Sequence, residues 1–476
     1  MGSGPVLTQI IGIFTIPIIT RLFDPDVFGE FSAIMSIVAP IGVLICLGYE
    51  SSIVLANKKR DAIDLFVLCV LITLFITFLS LLIVSYYYYY FPESITKKVN
   101  SKFLLIIPVF LFFGGFTQSL RYLNVRDKNF GTISLANVTS TSFEKFFIIF
   151  FGFILNASSF ILLIGSLVDS IIRPIIYSFK TINKELLVLV RETKLKDLKN
   201  LVIKYKKFPL YILPTNLFAR LTKDIPVLMF LFFFTSYEVG LYAFALRVLF
   251  LPVSLISNSI GEVFYQKEAN SKSKSLDFLK QLLKFNFWIG LFPFVVLAIF
   301  GDIIFTVFLG SEWTEAGTYS QVLSFLIFIR FITSFSSYLA ITENKQEYLF
   351  WLNIISLAVT ILGIAIGGYL ENIYISLVII SFFNGLNYGI IGFWIIKLRG
   401  LEFKSVLKLF KKPFLIMLII AIVLISFKLI FLKSSISFIA LTIILFFIPY
   451  FIFFLKENKN FMNLKFKNQL LKRIIN

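Results

Sequence analysis

The chain has 476 residues, of which 58% are hydrophobic and 15% charged, and its formal net charge is +19. So apolar a composition excludes an ordinary soluble domain, in which about a quarter of the residues are charged. The basic excess lies beside apolar stretches, which is the mark of membrane topology and argues against nucleic acid as a partner.

A hydrocarbon core about 30 Å thick takes roughly 20 residues of helix to cross, and fourteen stretches are long enough. The first six are 4–22, 28–55, 62–91, 103–123, 131–154 and 157–179. Residues 1–22 carry no charged leader, and Pro17 and Arg21 stand where a small-residue cleavage site would be, so they read as the first helix and not a signal peptide. The polar segment 180–207 follows. In it Leu195, Leu198, Val202 and Tyr205 recur at helical spacing while Lys194, Lys196, Lys199, Lys204 and Lys206 face elsewhere. That pattern predicts a cytoplasmic amphipathic helix on anionic lipid, with a plain solvated linker as the alternative. The next spans are 208–235, 238–265, 282–309, 318–341, 346–369 and 373–397. Two further spans, 411–432 and 436–455, precede a basic tail at 456–476 in which Phe461, Leu464, Leu471 and Ile475 are interleaved with six basic residues. The expected organisation is therefore an all-α polytopic membrane protein with a six-helix bundle at 1–179, a linker at 180–207, a second six-helix bundle at 208–397, two additional helices at 411–455 and the tail.

Placing the amino terminus in the cytoplasm assigns 33 Lys and Arg residues to inner segments and four to outer ones, with the remaining eight inside spans. The bias supports that orientation, an even number of crossings and two cytoplasmic termini. No loop is large enough for a soluble domain, and none carries a Gly-rich phosphate motif. The chain has no histidine, and its two cysteines, Cys46 and Cys69, lie in or beside spans and read as small buried residues. No catalytic set, metal site or cofactor is expected, so the protein is not read as an enzyme.

The halves resemble each other locally. Val27-Phe28-Gly29-Glu30-Phe31-Ser32 and Glu238-Val239-Gly240-Leu241-Tyr242-Ala243 are offset by 211 residues, and each leads into a proline, Pro40 or Pro252. Chance similarity and internal duplication are both open on this one match; duplication is a recurring device of transporters.

A charge at mid-bilayer costs on the order of 3 kcal/mol on insertion scales, so each one needs a reason. At 1.5 Å per residue, Arg220, Arg247 and Arg330 lie roughly 14–18 Å into their spans. Lys223 and Asp224 share a helix with Arg220, and Asp224 is in register to pair with it. In the first half Glu144, Lys145 and Asp169 are similarly deep, and Arg173 is one turn from Asp169. Arg21 and Glu50 read as helix-end residues, Glu262 as a boundary residue and Lys428 as a snorkelling side chain. Counting eight basic against five clearly in-span acidic residues, Glu50, Glu144, Asp169, Asp224 and Glu262, a surplus of guanidinium groups suits an anion, because planar donors engage phosphate oxygens in pairs and stay ionised. The candidate substrate-binding residues are Arg220, Arg247, Arg330, Lys223 and Lys145. The coupling or ion-pair candidates are Glu144, Asp169, Arg173 and Asp224. Prolines in many spans, with Pro214 and Pro226 bracketing Arg220, read either as bending points or as static kinks.

Several stretches resemble bacterial O-antigen and capsule oligosaccharide-lipid flippases of the multidrug/oligosaccharidyl-lipid/polysaccharide exporter superfamily. The first is Ile16-Pro17-Ile18-Ile19-Thr20-Arg21-Leu22-Phe23 running into Asp24-Pro25-Asp26-Val27-Phe28-Gly29. The second runs from Gly240-Leu241-Tyr242-Ala243 through Arg247-Val248-Leu249 and Leu251-Pro252-Val253-Ser254-Leu255-Ile256 to Ile260-Gly261-Glu262-Val263-Phe264-Tyr265-Gln266-Lys267. The third, Phe308-Leu309-Gly310-Ser311-Glu312-Trp313-Thr314-Glu315-Ala316-Gly317, is similar to the family's glycine-tryptophan outer loop. The resemblance implies two six-helix bundles around a central cavity that alternates in access, with two helices outside the repeat. It also implies an undecaprenyl-diphosphate-linked oligosaccharide as cargo, a place in the bacterial inner membrane, and membrane lipids, a polysaccharide polymerase and a chain-length regulator as partners. Two competitors stand beside that expectation: a multidrug exporter of the same superfamily, and a membrane enzyme of surface-glycan assembly such as a polymerase or ligase.

Overall fold

The computed structural model describes residues 3–90, 101–251, 253, 276–336, 339–340, 343, 345, 347–430 and 436–458. Among these every regular element is helical and no strand occurs, as hydrocarbon demands, since a helix satisfies its own backbone donors and acceptors. The chain divides into two compact units, Met1–Gly240 and Leu241–Asn476.

The first unit comprises α1 (Ser3–Leu22), α2 (Pro25–Leu44), α3 (Glu50–Leu55), α4 (Lys59–Tyr90), α5 (Ile107–Arg126), α6 (Phe130–Ile154), α7 (Ser159–Thr181), α8 (Lys184–Arg191), α9 (Leu195–Lys204) and α10 (Leu213–Phe233). Pro25 starts α2 at the position where its missing N–H costs nothing, and the Asn183 side chain caps α8 by accepting from Leu186 N at 2.8 Å. The expected span 28–55 is not one helix. It breaks after Leu44, where Leu47 (φ 50) and Gly48 (φ 80) adopt left-handed backbone before α3 resumes, a conformation that glycine takes without strain. Helix α4 packs on α5, α6 packs on α1 and α7, and α10 lies along α2. Ile34, Ile45, Ile53, Leu65, Leu111 and Leu163 fill the core, together with both free cysteines.

The linker differs from the expected lipid-facing stripe. Leu186, Leu198 and Leu201 are buried in the core of the first unit, and Val202 and Tyr205 pack against it. Lys59 pairs with Glu185 at 2.6 Å, Arg60 with Glu192 at 2.8 Å and Lys204 with Asp61 at 3.0 Å. Thr193 Oγ1 donates to Asp64 at 2.7 Å. The stripe therefore serves the protein, because the start of α4 offers both apolar surface and complementary charge.

A helical run over 236–251 carries the chain across the boundary at Gly240. Thr235 and Glu238 begin it as a reciprocal cap, with Thr235 N donating to Glu238 Oε2 at 2.8 Å and Glu238 N to Thr235 Oγ1 at 3.4 Å. The second unit continues with α11 (Leu276–Leu309), α12 (Thr314–Ile332), α13 (Glu347–Tyr369), α14 (Ile373–Lys397), α15 (Phe403–Ile430) and α16 (Ile436–Glu457). Helix α11 packs against α12, α15 and α16, and α14 packs against α12 and α13. Its backbone leaves helical geometry at Phe300 (φ −113, ψ 16), seven residues after Pro293. Gly310 (φ 111) turns the chain between α11 and α12, and the buried Trp313 anchors that turn with its ring 4.4 Å from Phe244.

Eight described helices are long and apolar enough to cross a bilayer: α2, α4, α5 with its leading turn, α7, α11, α13, α14 and α15. The protein is thus a multi-pass membrane protein. The other long helices carry more polar residues, are shorter in their apolar run or are only partly described. The loops 92–100 and 433–435, the segment 254–275 with Glu262, and the tail 459–476 lie outside the described residues.

One sequence match reappears as geometry. A Cβ on Gly29 would meet Ser236 O at 1.8 Å and Gly240 N at 3.1 Å, and a Cβ on Gly240 would meet Pro25 O at 1.8 Å and Gly29 N at 2.9 Å. Adding 211 to each residue that Gly240 meets turns Pro25 into Ser236 and Gly29 into Gly240, the residues that Gly29 meets. The two helix starts therefore touch reciprocally, backbone on backbone, as segments related by a local two-fold axis do.

Candidate functional site

In the first unit the charged candidates occur as neutral pairs. Arg173 Nη2 donates to Asp169 Oδ1 at 2.9 Å and its Nε to Ser140 Oγ at 3.1 Å, while Ser140 Oγ donates to the same Asp169 oxygen at 2.7 Å. Lys145, buried, pairs with Glu144 at 2.7 Å. Arg220 Nη2 donates to Asp224 Oδ1 at 3.2 Å, and the pair makes a second contact through Arg220 Nε. Lys223 is exposed next to that pair. Both i,i+4 pairs follow from helix geometry, which stacks residues one turn apart. They remove the surplus charge that Arg173, Arg220 and Lys145 would otherwise present.

Arg330 on α12 is held differently. Its guanidinium carbon lies 4.8 Å from the ring centroid of Phe250 and 5.1 Å from that of Tyr388 on α14. No acidic side chain pairs with it among the described residues. Aromatic faces attract a cation through their quadrupole, yet they neither neutralise it nor occupy its in-plane N–H donors. Arg247 is one helical turn before Phe250, is exposed, and likewise has no acidic partner among the described residues. Two guanidinium groups with no acidic partner among the described residues are thus carried on the 236–251 run and on α12, and Phe250 packs against the second of them. Among the candidates named from sequence, Arg247 and Arg330 retain free charge and donors.

Glu50 stands at a helix end as expected, the first residue of α3, whereas Lys428 differs from the snorkelling expectation. Lys428 does not reach outward. Its ammonium donates to both Asp302 oxygens at 2.8 and 2.9 Å and to Ile299 O at 2.6 Å, and Gln321 Nε2 also donates to Asp302 Oδ1 at 2.9 Å. Asp302 lies within the span 282–309 and adds an acid to those counted as clearly in-span from sequence. Glu50 is buried at 4% exposure beside the break in the second span and accepts from Gln118 Nε2 at 2.8 Å, with no ion pair among the described residues. Arg399 pairs with Glu343 at the end of α14. Among the described residues, no group of three His, Cys, Asp or Glu side chains is gathered as a metal site would need.

These features define a helical multi-pass membrane protein whose second unit seats a guanidinium between aromatic rings, with no acidic partner for it among the described residues. Comparison with solved structures gives the fold: a lipid II flippase MurJ in an inward-closed conformation matches with a TM-score of 0.73 at 16% identity, over 97% of this chain and 99% of that one. An inward-facing multidrug resistance MATE family transporter of the MOP superfamily matches with a TM-score of 0.54 at 14% identity, over 86% of this chain and 96% of that one. A MATE protein in a bent conformation matches at 0.50 and 13% identity, over 87% and 95%. The chain belongs to the polysaccharide biosynthesis protein family, whose profile matches residues 18–317. No curated protein matches it by sequence. The family match covers nearly the same stretch as the resemblance read from residues 16–317, and the fold is one shared by a lipid flippase and by multidrug exporters.

Proposed function

We propose that the protein is a flippase that moves an undecaprenyl-diphosphate-linked oligosaccharide from the cytoplasmic to the outer leaflet of a bacterial inner membrane, supplying O-antigen, capsule or a related surface polysaccharide. The observation that carries this reading is Arg330, seated between Phe250 and Tyr388 with no acidic partner among the described residues, and Arg247 one turn from Phe250. A diphosphate offers oxygens that a guanidinium binds in pairs, and low dielectric strengthens the attraction. Membership of a polysaccharide biosynthesis family and a fold similar to that of a lipid II flippase support a lipid-linked glycan as cargo.

In this reading fourteen spans form two six-helix bundles and two further helices, both termini are cytoplasmic, and a polymerase and chain-length regulator act downstream. Neither a cofactor nor a catalytic step is invoked. A cargo shifts the balance between inward-open and outward-open states only by binding them unequally, so direction comes from consumption of the unit outside, the membrane potential or a coupling ion.

Fold similarity to multidrug exporters keeps one competitor in view, and leaflet-resolved labelling separates the two. In cells lacking the protein and any second flippase, an impermeant lectin should find no lipid-linked unit in the outer leaflet, and polymer should be absent from the surface. Equal outer-leaflet labelling with and without the protein would overturn the assignment. Altered toxin sensitivity alone would favour the exporter.

A further inference from the structure

The linker α8–α9 has two faces, and its place in the first unit accounts for one of them. The inward face spends Glu185 and Glu192 on Lys59 and Arg60, and spends Lys204 on Asp61. The segment 180–207 holds nine basic and three acidic residues, so this pairing removes two of the three acids but a single base. On the outward side Lys196, Lys199, Ile203 and Lys206 follow one another at three- and four-residue spacing and are exposed. Leu195 (82% exposed), Leu187 and Val188 are exposed among Lys184, Arg191 and Lys194. None of these six basic side chains, nor Lys207, has an acidic partner among the described residues.

We propose that this outward face is a docking surface for anionic phospholipid of the leaflet in which α7 ends and α10 begins. Charge complementarity selects the occupant. A neutral surface would satisfy the exposed leucines but leave the lysines unpaired. A purely polar anion would pair the lysines and leave Leu187, Val188, Leu195 and Ile203 in water. An anionic headgroup above acyl chains satisfies both, because basic side chains sit at the phosphate level while apolar ones enter the interface. The inward ion pairs make the face stronger, since they consume the acids that would repel the headgroups. The inference is independent of the cargo and stands whether or not the flippase reading holds.

The test uses the full-length protein with Cys46 and Cys69 replaced by Ser and a single Leu195→Cys carrying an environment-sensitive fluorophore. The protein is placed in phosphatidylcholine vesicles containing equal mole fractions of either spin-labelled phosphatidylglycerol or spin-labelled phosphatidylcholine. Labelled phosphatidylglycerol should quench the probe several-fold more strongly, and added salt should reduce the difference. In the K196Q/K199Q/K206Q variant, folded as judged by an unchanged melting profile, the preference should vanish. Equal quenching by the two lipids in the parent, or an undiminished preference in the triple variant, would overturn the proposal. So would a probe shielded in lipid-free detergent in proportion to protein concentration, since that would mean a second copy covers the face.

Discussion

Whether a half-buried charge is available to a ligand is decided by its nearest partners, and Arg330 and Lys428 illustrate the two outcomes. Arg330→Ala removes a guanidinium seated between two rings, so export should fall about 10- to 100-fold, the equivalent of one or two charge-assisted hydrogen bonds, with melting little changed. Arg330→Lys should recover only part, because a point charge cannot reproduce the planar fork. Surface polymer at the parental level in the alanine variant would remove Arg330 from the mechanism. Lys428 is the opposite case, with its donors spent on Asp302 and Ile299 O. Asp302→Leu should cost about 1–3 kcal/mol by leaving a half-buried charge unpaired, while Asp302→Leu with Lys428→Leu should regain most of the lost stability; detergent melting curves would show it, and equal losses in single and double variants would contradict the pairing. Sequence spacing was enough to find Arg220 with Asp224 and Arg173 with Asp169, since each pair is one helical turn apart. It was not enough for Lys428, whose partner is 126 positions away on another helix, nor for the aromatic seat of Arg330, whose rings come from two other stretches of chain.

Helices were the most predictable feature, because hydropathy and length suffice for them, and the break at 45–49 was not, because an apolar run reads through Leu47 and Gly48 without interruption. The linker periodicity was visible, but the side its stripe would face depended on Lys59, Arg60 and Asp61, which lie more than 120 residues earlier. The last helix shows how an element end is fixed by charge. Glu457, past the apolar run 436–455, lies 2.8 Å from Lys284 and also pairs with Lys412, tying α16 to α11 and α15. Hydrogen bonds from Lys284 and then Lys412 hold its carboxyl below the usual carboxylate range. A carboxyl depressed by folding stabilises above its unfolded pKa and loses that stabilisation as pH falls through the folded one. Glu457→Gln should therefore lower stability by on the order of 1 kcal/mol at neutral pH, and the deficit should close as the pH is taken below about 4.5, the ordinary value of the carboxyl. A deficit that persists unchanged into acid would assign Glu457 a packing role instead.

The two glycines that mark the sequence match also mark the closest backbone approach between the two helix starts. At Gly29 a Cβ would lie 1.8 Å from Ser236 O, and at Gly240 it would lie 1.8 Å from Pro25 O. Both obstacles are main chain, so no side-chain rotation relieves either. A duplicated chain with a local two-fold through this contact accounts for the reciprocity, because the same requirement is then imposed twice, 211 residues apart. A chance likeness carries no such requirement and predicts unequal effects at the two positions. Gly29→Ala and Gly240→Ala should each destabilise by about 1–3 kcal/mol, as insertion of a methyl group into filled space does, and by similar amounts. Because the two substitutions open the same contact, the double variant should cost less than the two single effects combined. Melting of the three variants in one detergent decides it: a large loss at one glycine with none at the other, or full additivity, would mean that the match at Gly29 and Gly240 is not the trace of a two-fold device.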